Sequence, residues 1–316
     1  MIAARGVVAP AARRLGGPPR RRLTLRRRRQ AAGVLFAAPA VAVITVFFLV
    51  PLGLTFYMSL NQWSLLGAHS WIGFENYTKA LEDPAFREAF VFTLEYTAII
   101  TPILLALGLG LALLVRRPRR GARFFQSVYF LPVVIGFASG SFLFFYLGQS
   151  GIGPLFDLIG RLGLVDADAN WYADHWSALL LVIASVTWKV VGMQMLLLLA
   201  GLQSIPVELE EAARIDGARR RQVFRYITLP LLRPTLALVL VFSVAGSLLA
   251  FDQFYIMTSG GPSNSTITAV YQVYRVSFVQ FQVGYGAALS VLLMIVLAAV
   301  SAVQLLLLRN TDHNPS

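Results

Sequence analysis

Long apolar runs alternate with short polar segments along most of the chain. Each run reaches about 20 residues, the length that an α-helix needs to cross the hydrocarbon core of a bilayer. Trp63, Trp71 and Phe74 lie in the segment between the first two runs, as expected at a membrane interface. The pattern predicts an all-α membrane protein with six transmembrane helices, whose approximate bounds are 31–58, 89–115, 124–147, 177–203, 231–251 and 283–308.

A polar segment interrupts this pattern between the fourth and fifth predicted spans. Pro206 favours a helix start, because the first helical turn has no intrahelical partner for the N–H that proline lacks. Glu208, Glu210 and Glu211 follow, where the positive end of the helix dipole favours acidic side chains. Gly217 predicts the end of the helix, because glycine readily adopts the left-handed conformation common at that point.

This short helix has one apolar face. Leu209, Ala212 and Ala213 recur at i, i+3 and i+4, so they form a stripe of mostly small residues. We interpret the neighbouring pair Glu210 and Glu211 as a solvated face rather than a catalytic pair. The segment 205–230 therefore predicts a finger outside the lipid, on which another protein docks.

The same segment resembles a known family. Glu-Ala-Ala, a glycine four residues after the second alanine, and Ile-x-Leu-Pro after nine further residues are similar to the EAA loop of permease subunits in binding-protein-dependent ABC importers. The run from Glu210 to Ala218, which includes Asp216, is most similar to the carbohydrate-importer branch that resembles the maltose permease. The residues that fill the motif are Glu211, Ala212, Ala213, Gly217, Ile227, Leu229 and Pro230.

The resemblance covers roughly residues 85–309 and implies a function. It implies an inner-membrane permease subunit of an ATP-driven bacterial importer with the type I importer fold. The solute is then a carbohydrate or related polyol delivered by an extracytoplasmic binding protein. The implied partners are a second permease subunit in a heterodimer and two copies of a cytoplasmic ATPase, which use ATP and Mg²⁺. Glu211 would face a basic residue of the ATPase, Ala212 and Ala213 would allow close approach, and Gly217 would set the turn.

Charge predicts the orientation. Hydrophobic residues make up 57% of the chain and charged residues only 13%, while the net charge is +12. Of the 27 Lys and Arg residues, 22 lie in the N-terminal arm, around 116–123, in the finger region or at the C-terminus. This bias predicts that both termini and the finger are cytoplasmic, and that the basic arm is held near anionic lipid rather than nucleic acid. The predicted divisions are a basic arm at 1–30, the first span and a periplasmic loop at 31–88, the main transmembrane domain at 89–309 and a tail at 310–316.

The sequence has no catalytic constellation. It contains no cysteine, and its three histidines are scattered without ligand spacing, so we expect no metal site. A phosphate-binding loop requires a lysine after a glycine, whereas Lys79 follows Thr78 and Lys189 follows Trp188. We therefore expect no cofactor in this chain and place ATP hydrolysis in a separate subunit.

Lys189 lies near the middle of the fourth predicted span. Insertion of a lone ammonium group there costs about 2.5–3.5 kcal/mol, so its side chain faces either a cavity or a structural counter-ion. Gly136 and Gly140 form a small-residue pair suited to helix packing in the third span. The candidates for a substrate path are Lys189, Gln194, Asp252, Gln253 and Tyr255.

Two other classes of protein compete with the importer. An ion- or proton-coupled secondary transporter would require several mid-membrane carboxylates and internal repeats. A membrane enzyme, such as a lipid-linked glycosyltransferase, would require catalytic carboxylates or a nucleotide site in a soluble portion. The sequence shows neither set of features clearly.

Overall fold

The structure is a computed structural model that describes residues 20–64, 67, 69–116, 121–162 and 170–309. The side chains of 20–29, 31 and 307–309 are not included in the description. The predicted tail 310–316 and the first 19 residues of the predicted arm lie outside the described residues. The chain divides into two units, Met1–Leu54 and Thr55–Ser316.

In the first unit, the first helix begins earlier than predicted. It starts at Arg20 rather than near residue 31, because the arginines that precede the apolar run are themselves good helix formers. None of the apolar window within Ala32–Ser59 is buried, as is typical of a helix that faces lipid. The elements are α1 (Arg20–Ile44), a π-helical turn (Thr45–Leu49) and α2 (Val50–Ser59), which ends in the second unit.

The predicted interfacial loop between the first two spans contains regular structure. Asn61 and Gln62 pair in antiparallel register with Trp71 and Ser70. Asp83 caps the next long helix, since its carboxylate accepts a hydrogen bond of 3.0 Å from the N–H of Ala85. The elements are β1 (Asn61–Gln62), β2 (Ser70–Trp71), α3 (Glu75–Glu82) and α4 (Pro84–Val115).

The third predicted span is not one helix. Its two parts, α5 (Ala122–Val134) and α6 (Phe137–Leu147), meet at an angle of 98°. Ile135 is extended at the break, and Pro132 just before it lacks the N–H that a continuous helix would use. Gly136 lies in the break, so the prediction that it shares a packing face with Gly140 is wrong. Only Gly140 borders the next span, beside Lys189 and Trp188.

The next span, α8 (His175–Gln203), is the centre of the second unit. Of its apolar window 61% is buried, against 33% for the corresponding window of α4. α4 packs along α8, and buried residues on both helices form a continuous core. The loop before α8 also contains a short helix, α7 (Pro154–Arg161), which the sequence did not predict.

The rest of the chain is mostly helical, including most of the predicted loop 252–281. The elements that follow α8 are α9 (Val207–Ile215), α10 (Arg220–Val223), a π-helical turn (Phe224–Thr228), α11 (Leu229–Leu248), a π-helical turn (Phe254–Thr258), α12 (Ala269–Tyr274), a π-helical turn (Arg275–Val279) and α13 (Val283–Arg309).

By length and composition, five helices in the described chain can cross a membrane, or six if the bent pair α5–α6 counts as one span. The short hairpin β1–β2 is the sole sheet among the described residues. The structure therefore agrees with the predicted all-α membrane class.

Candidate functional site

The predicted finger forms around α9. This helix begins directly after Pro206 and ends at Ile215. Gly217 has a φ of +85°, which confirms the left-handed conformation predicted for it. The N–H of Ala218 bonds to the carbonyl of Ala213 at 2.9 Å, and the N–H of Gly217 bonds to that of Arg214 at 3.1 Å. These two bonds are the Schellman pattern that satisfies the last carbonyls of a helix.

The apolar stripe of α9 is exposed. Leu209 exposes 45% of its surface and Ile215 exposes 86%, although both are large hydrophobic residues. Ala212 is exposed and Ala213 is half-buried, and the motif residue Glu211 is exposed. The helix therefore presents a largely exposed apolar face, which is the arrangement expected of a docking surface.

Glu210 is the one side chain of α9 that the chain buries. Its Oε1 accepts hydrogen bonds from Arg116 Nη1 at 2.6 Å and from Thr228 Oγ1 at 3.1 Å. Its Oε2 lies 3.5 Å from Arg214 Nη2. The prediction of a solvated face is wrong for Glu210, because its carboxylate bonds to Arg116 after the end of α4 and to Thr228 just before α11 begins.

The remaining motif residues lie on both sides of this link. Asp216 is exposed beside Gly217, at the tip where α9 ends. Ile227, Leu229 and Pro230 are half-buried where the π-helical turn passes into α11. The residues of the EAA motif therefore lie partly on the exposed helix α9 and partly at the start of the long apolar helix α11.

A second region is a cavity of about 250 Å³ between the long helices. Residues of α4, α5, α6, α8 and α11 surround it, together with Gln253 after α11. The lining is mainly apolar, with a few polar groups. Its polar and aromatic members include Tyr96, Phe137, Lys189, Gln194, Ser243, Ser247 and Gln253.

Lys189 is held in this lining by neutral groups. Its residue is 7% exposed, at the middle of α8. Its Nζ donates a hydrogen bond to the carbonyl of Ile135, at the break between α5 and α6. The same nitrogen lies 4.5 Å from the centroid of the Phe137 ring. None of the three ion pairs among the described residues involves Lys189, and no carboxylate lines the cavity.

Gln194 extends the polar part of the lining. Its Nε2 donates to Ser243 Oγ at 2.6 Å, while Ser243 Oγ donates to the carbonyl of Val239 at 2.8 Å. Because the hydroxyl proton of Ser243 is already used, this hydroxyl can only accept from Gln194. The orientation of the amide is therefore fixed, and its Oε1 is buried without a partner among the described residues.

The structure brings together three of the five predicted substrate-path residues. Lys189, Gln194 and Gln253 line one cavity. Tyr255 instead lies in an aromatic cluster, with its ring centroid 5.2 Å from that of Phe251. Asp252 is half-buried and is not part of the lining.

Tyr255 and Asp252 lie after the end of α11 at Leu248, where Gln253 is the residue that enters the lining. Sequence reasoning missed Ser243 and Ser247. Their spacing of four residues within an apolar span would have placed both on one helix face.

A family model described as the inner membrane component of binding-protein-dependent transport systems matches residues 85–313. Similar proteins include the sulfoquinovosyl glycerol transport system permease protein SmoG of Agrobacterium fabrum. It is 34% identical over 281 residues, which are 88% of this chain and 91% of that protein. The arabinooligosaccharides transport system permease protein AraP of Bacillus subtilis is 35% identical over 279 residues, 86% of each chain.

A solved structure has the same fold. The crystal structure of a bacterial ABC transporter involved in the import of the acidic polysaccharide alginate matches with a TM-score of 0.80. The match covers 92% of this chain and 99% of that chain at 21% sequence identity.

Proposed function

We propose a carbohydrate-importer function for this chain, which belongs to the family of inner membrane components of binding-protein-dependent transport systems. It is a multi-pass membrane protein, the permease subunit of an ATP-driven ABC importer in the bacterial inner membrane. Its solute is a carbohydrate or related polyol delivered by an extracytoplasmic binding protein. The named solutes of the two similar permeases, sulfoquinovosyl glycerol and arabinooligosaccharides, support this class of solute.

The observation that carries the proposal is the exposed apolar face of α9. This helix lies between two membrane-length helices, α8 and α11, and has the complete EAA spacing. We propose that α9 docks on a cytoplasmic ATPase subunit, with Glu211 facing a basic residue and Ala212 at the point of closest approach. ATP and Mg²⁺ bind to the ATPase, whose closure would move α9.

The proposed topology counts the bent pair α5–α6 as one span, which gives six. The distribution of Lys and Arg supports a cytoplasmic location for both termini and α9. The hairpin β1–β2 and α12 would lie on the opposite side, where the binding protein delivers the solute.

The proposed assembly contains a second permease subunit and two copies of the ATPase. The two permeases would form the translocation path between them. The cavity that Lys189, Gln194 and Gln253 line is our candidate for this chain's part of that path.

The test is uptake by a purified and reconstituted complex. The tagged chain should copurify with an ATPase and a second permease, and uptake should require ATP and resist a protonophore. Uptake that a protonophore abolishes and that needs no ATP would contradict the proposal and favour a secondary transporter.

A further inference from the structure

We infer that the solute carries an anionic group, such as a carboxylate, sulfonate or phosphate, and that Lys189 contacts this group in the cavity. The inference rests on the proposed function and narrows it from carbohydrates in general to acidic carbohydrates.

The first observation is an uncompensated charge. Lys189 is the one charged residue in the lining, and its ammonium group contacts only a carbonyl and an aromatic ring among the described residues. Both contacts stabilise a cation without neutralising it. A charged group at membrane depth that faces a cavity marks a solute or ion path. The charge in the cavity therefore favours an anion.

The second observation is an acceptor without a donor. Gln194 is only 4% exposed, and its buried Oε1 has no hydrogen-bond partner in the described chain. The Ser247 hydroxyl donates to the carbonyl of Ser243 at 2.9 Å, so its lone pairs remain available as acceptors. Solute hydroxyl groups can donate to these oxygens.

Together, the ammonium group of Lys189 and the free acceptors of Gln194 and Ser247 indicate the chemical groups that the solute carries. A cation and two acceptors within one cavity fit a molecule that has both an anionic group and hydroxyl groups. A neutral sugar would satisfy the acceptors and leave the charge of Lys189 unused. An inorganic anion would satisfy the charge and leave Gln194 without a donor.

The experiment compares matched solutes in the complete complex, reconstituted in phosphatidylcholine so that no lipid supplies a net negative charge. The probes are galacturonate against galactose, and sn-glycerol 3-phosphate against glycerol, each presented with the cognate binding protein. Wild-type complex should take up the anionic member of at least one pair at least tenfold faster than its neutral partner. ATP-dependent uptake that favours the neutral members would overturn the inference while leaving the importer function intact.

Variants test the role of the charge itself. Lys189→Met should reduce uptake of the anionic probe at least tenfold, and Lys189→Arg should restore most of it. The control is Lys79→Met, which removes the only other lysine, an exposed one that bonds to Gln282 at 2.8 Å. It should leave uptake unchanged.

The competing explanation is that Lys189 pairs with a carboxylate of the second permease. Lys189→Met would then separate the two permeases on purification and reduce uptake of charged and neutral probes equally. Either of these results would contradict the inference. Retained assembly with a loss confined to the anionic probe would support it.

Discussion

Glu210 and Lys189 are the two charged side chains that are buried in the described part of the chain, and their surroundings are opposite. Glu210 accepts hydrogen bonds from Arg116 and Thr228 and has a second arginine nearby. Lys189 has a carbonyl and an aromatic ring.

A buried charge that is fully paired fixes the elements carrying its partners relative to one another. In this chain, Glu210 holds α9 against α4 and the start of α11. A buried charge beside neutral groups and a cavity is available to a ligand instead. We therefore propose a mechanical role for Glu210 and a recognition role for Lys189.

The largest effect should come from breaking the paired charge. Glu210→Ala should destabilise the protein by about 3–5 kcal/mol, because it leaves Arg116 without its carboxylate partner. Thermal unfolding of the complex in detergent measures the change. The charge exchange of Glu210→Arg with Arg116→Glu should recover part of the loss.

Glu211→Ala is the matched control for that variant. Glu211 is the exposed neighbour of Glu210, so its removal should leave stability within about 0.5 kcal/mol. It should instead raise the number of ATP molecules hydrolysed per solute transported. Equal destabilisation by Glu210→Ala and Glu211→Ala would contradict the proposal that Glu210 is a paired structural carboxylate and Glu211 a docking one.

The next largest loss of stability should come from disturbing the close packing of α5 on α8, which places the Ile135 carbonyl beside Lys189. A Cβ added at Gly192 would clash with the backbone of Tyr129 on α5. Gly192→Ala should therefore cost about 1–3 kcal/mol by forcing α5 away from α8. Unfolding of the purified chain measures it.

Gly110→Ala is the control for this packing. Apart from the neighbouring residues and backbone of α4 itself, no described atom lies within 4 Å of a Cβ added at Gly110. This variant should be neutral or more stable by about 0.5–1 kcal/mol, because alanine is a better helix former than glycine. The same loss in both variants would show that close packing at Gly192 is not the cause.

Lys189→Met should have a small effect on stability despite its expected effect on uptake. Its side chain loses one charge-assisted hydrogen bond, a contribution of about 1.5–3 kcal/mol, but an apolar chain of similar length fills the space without the cost of burying an ammonium group. Calorimetry of the purified complex tests this. A loss as large as that of Glu210→Ala would contradict the assignment of Lys189 to recognition.

The smallest expected effect is a pH-dependent loss of stability at the start of α8, where Asp174 caps the helix. The backbone N–H of Ser177 donates to its carboxylate at 3.1 Å and holds the pKa of Asp174 below its ordinary value. The folded state thus favours the ionised carboxylate, and the cap contributes fully above the unfolded-state pKa. The contribution is lost as the pH falls through the lowered pKa.

Hydrogen exchange at Trp176 and Ser177 should therefore accelerate at acidic pH beyond the intrinsic change. Asp174→Asn should remove that extra acceleration, because asparagine caps a helix without titrating. An unchanged pH profile in the variant would show that the cap does not cause it.

The sequence pattern predicted most of the elements that depend on local residues. The long apolar runs, the start of α9 after Pro206 and the left-handed Gly217 all follow from properties that neighbouring residues carry. The bend at Ile135 could also have been read from Pro132 and Gly136, but the apolar run across it favoured one span.

Long-range pairing could not be predicted in the same way. Arg116 lies 94 residues before Glu210, so nothing beside Glu210 indicated that this carboxylate, rather than Glu211, turns inward. The spacing of Glu210 and Arg214 at i and i+4 was the one local hint. The grouping of Lys189, Gln194 and Gln253 likewise depends on how α8 packs against α11.

The docking of α9 on an ATPase can be tested directly by crosslinking. The chain contains no cysteine, so a single Leu209→Cys can carry a benzophenone maleimide in the intact complex. Ser70→Cys, on the exposed hairpin, provides the control. Illumination should crosslink position 209 to the ATPase subunit, with a yield that changes on ATP binding, and position 70 should give no such product. Crosslinking of position 209 only to lipid or to the permease itself, in a complex that retains its ATPase, would contradict the proposed docking of α9.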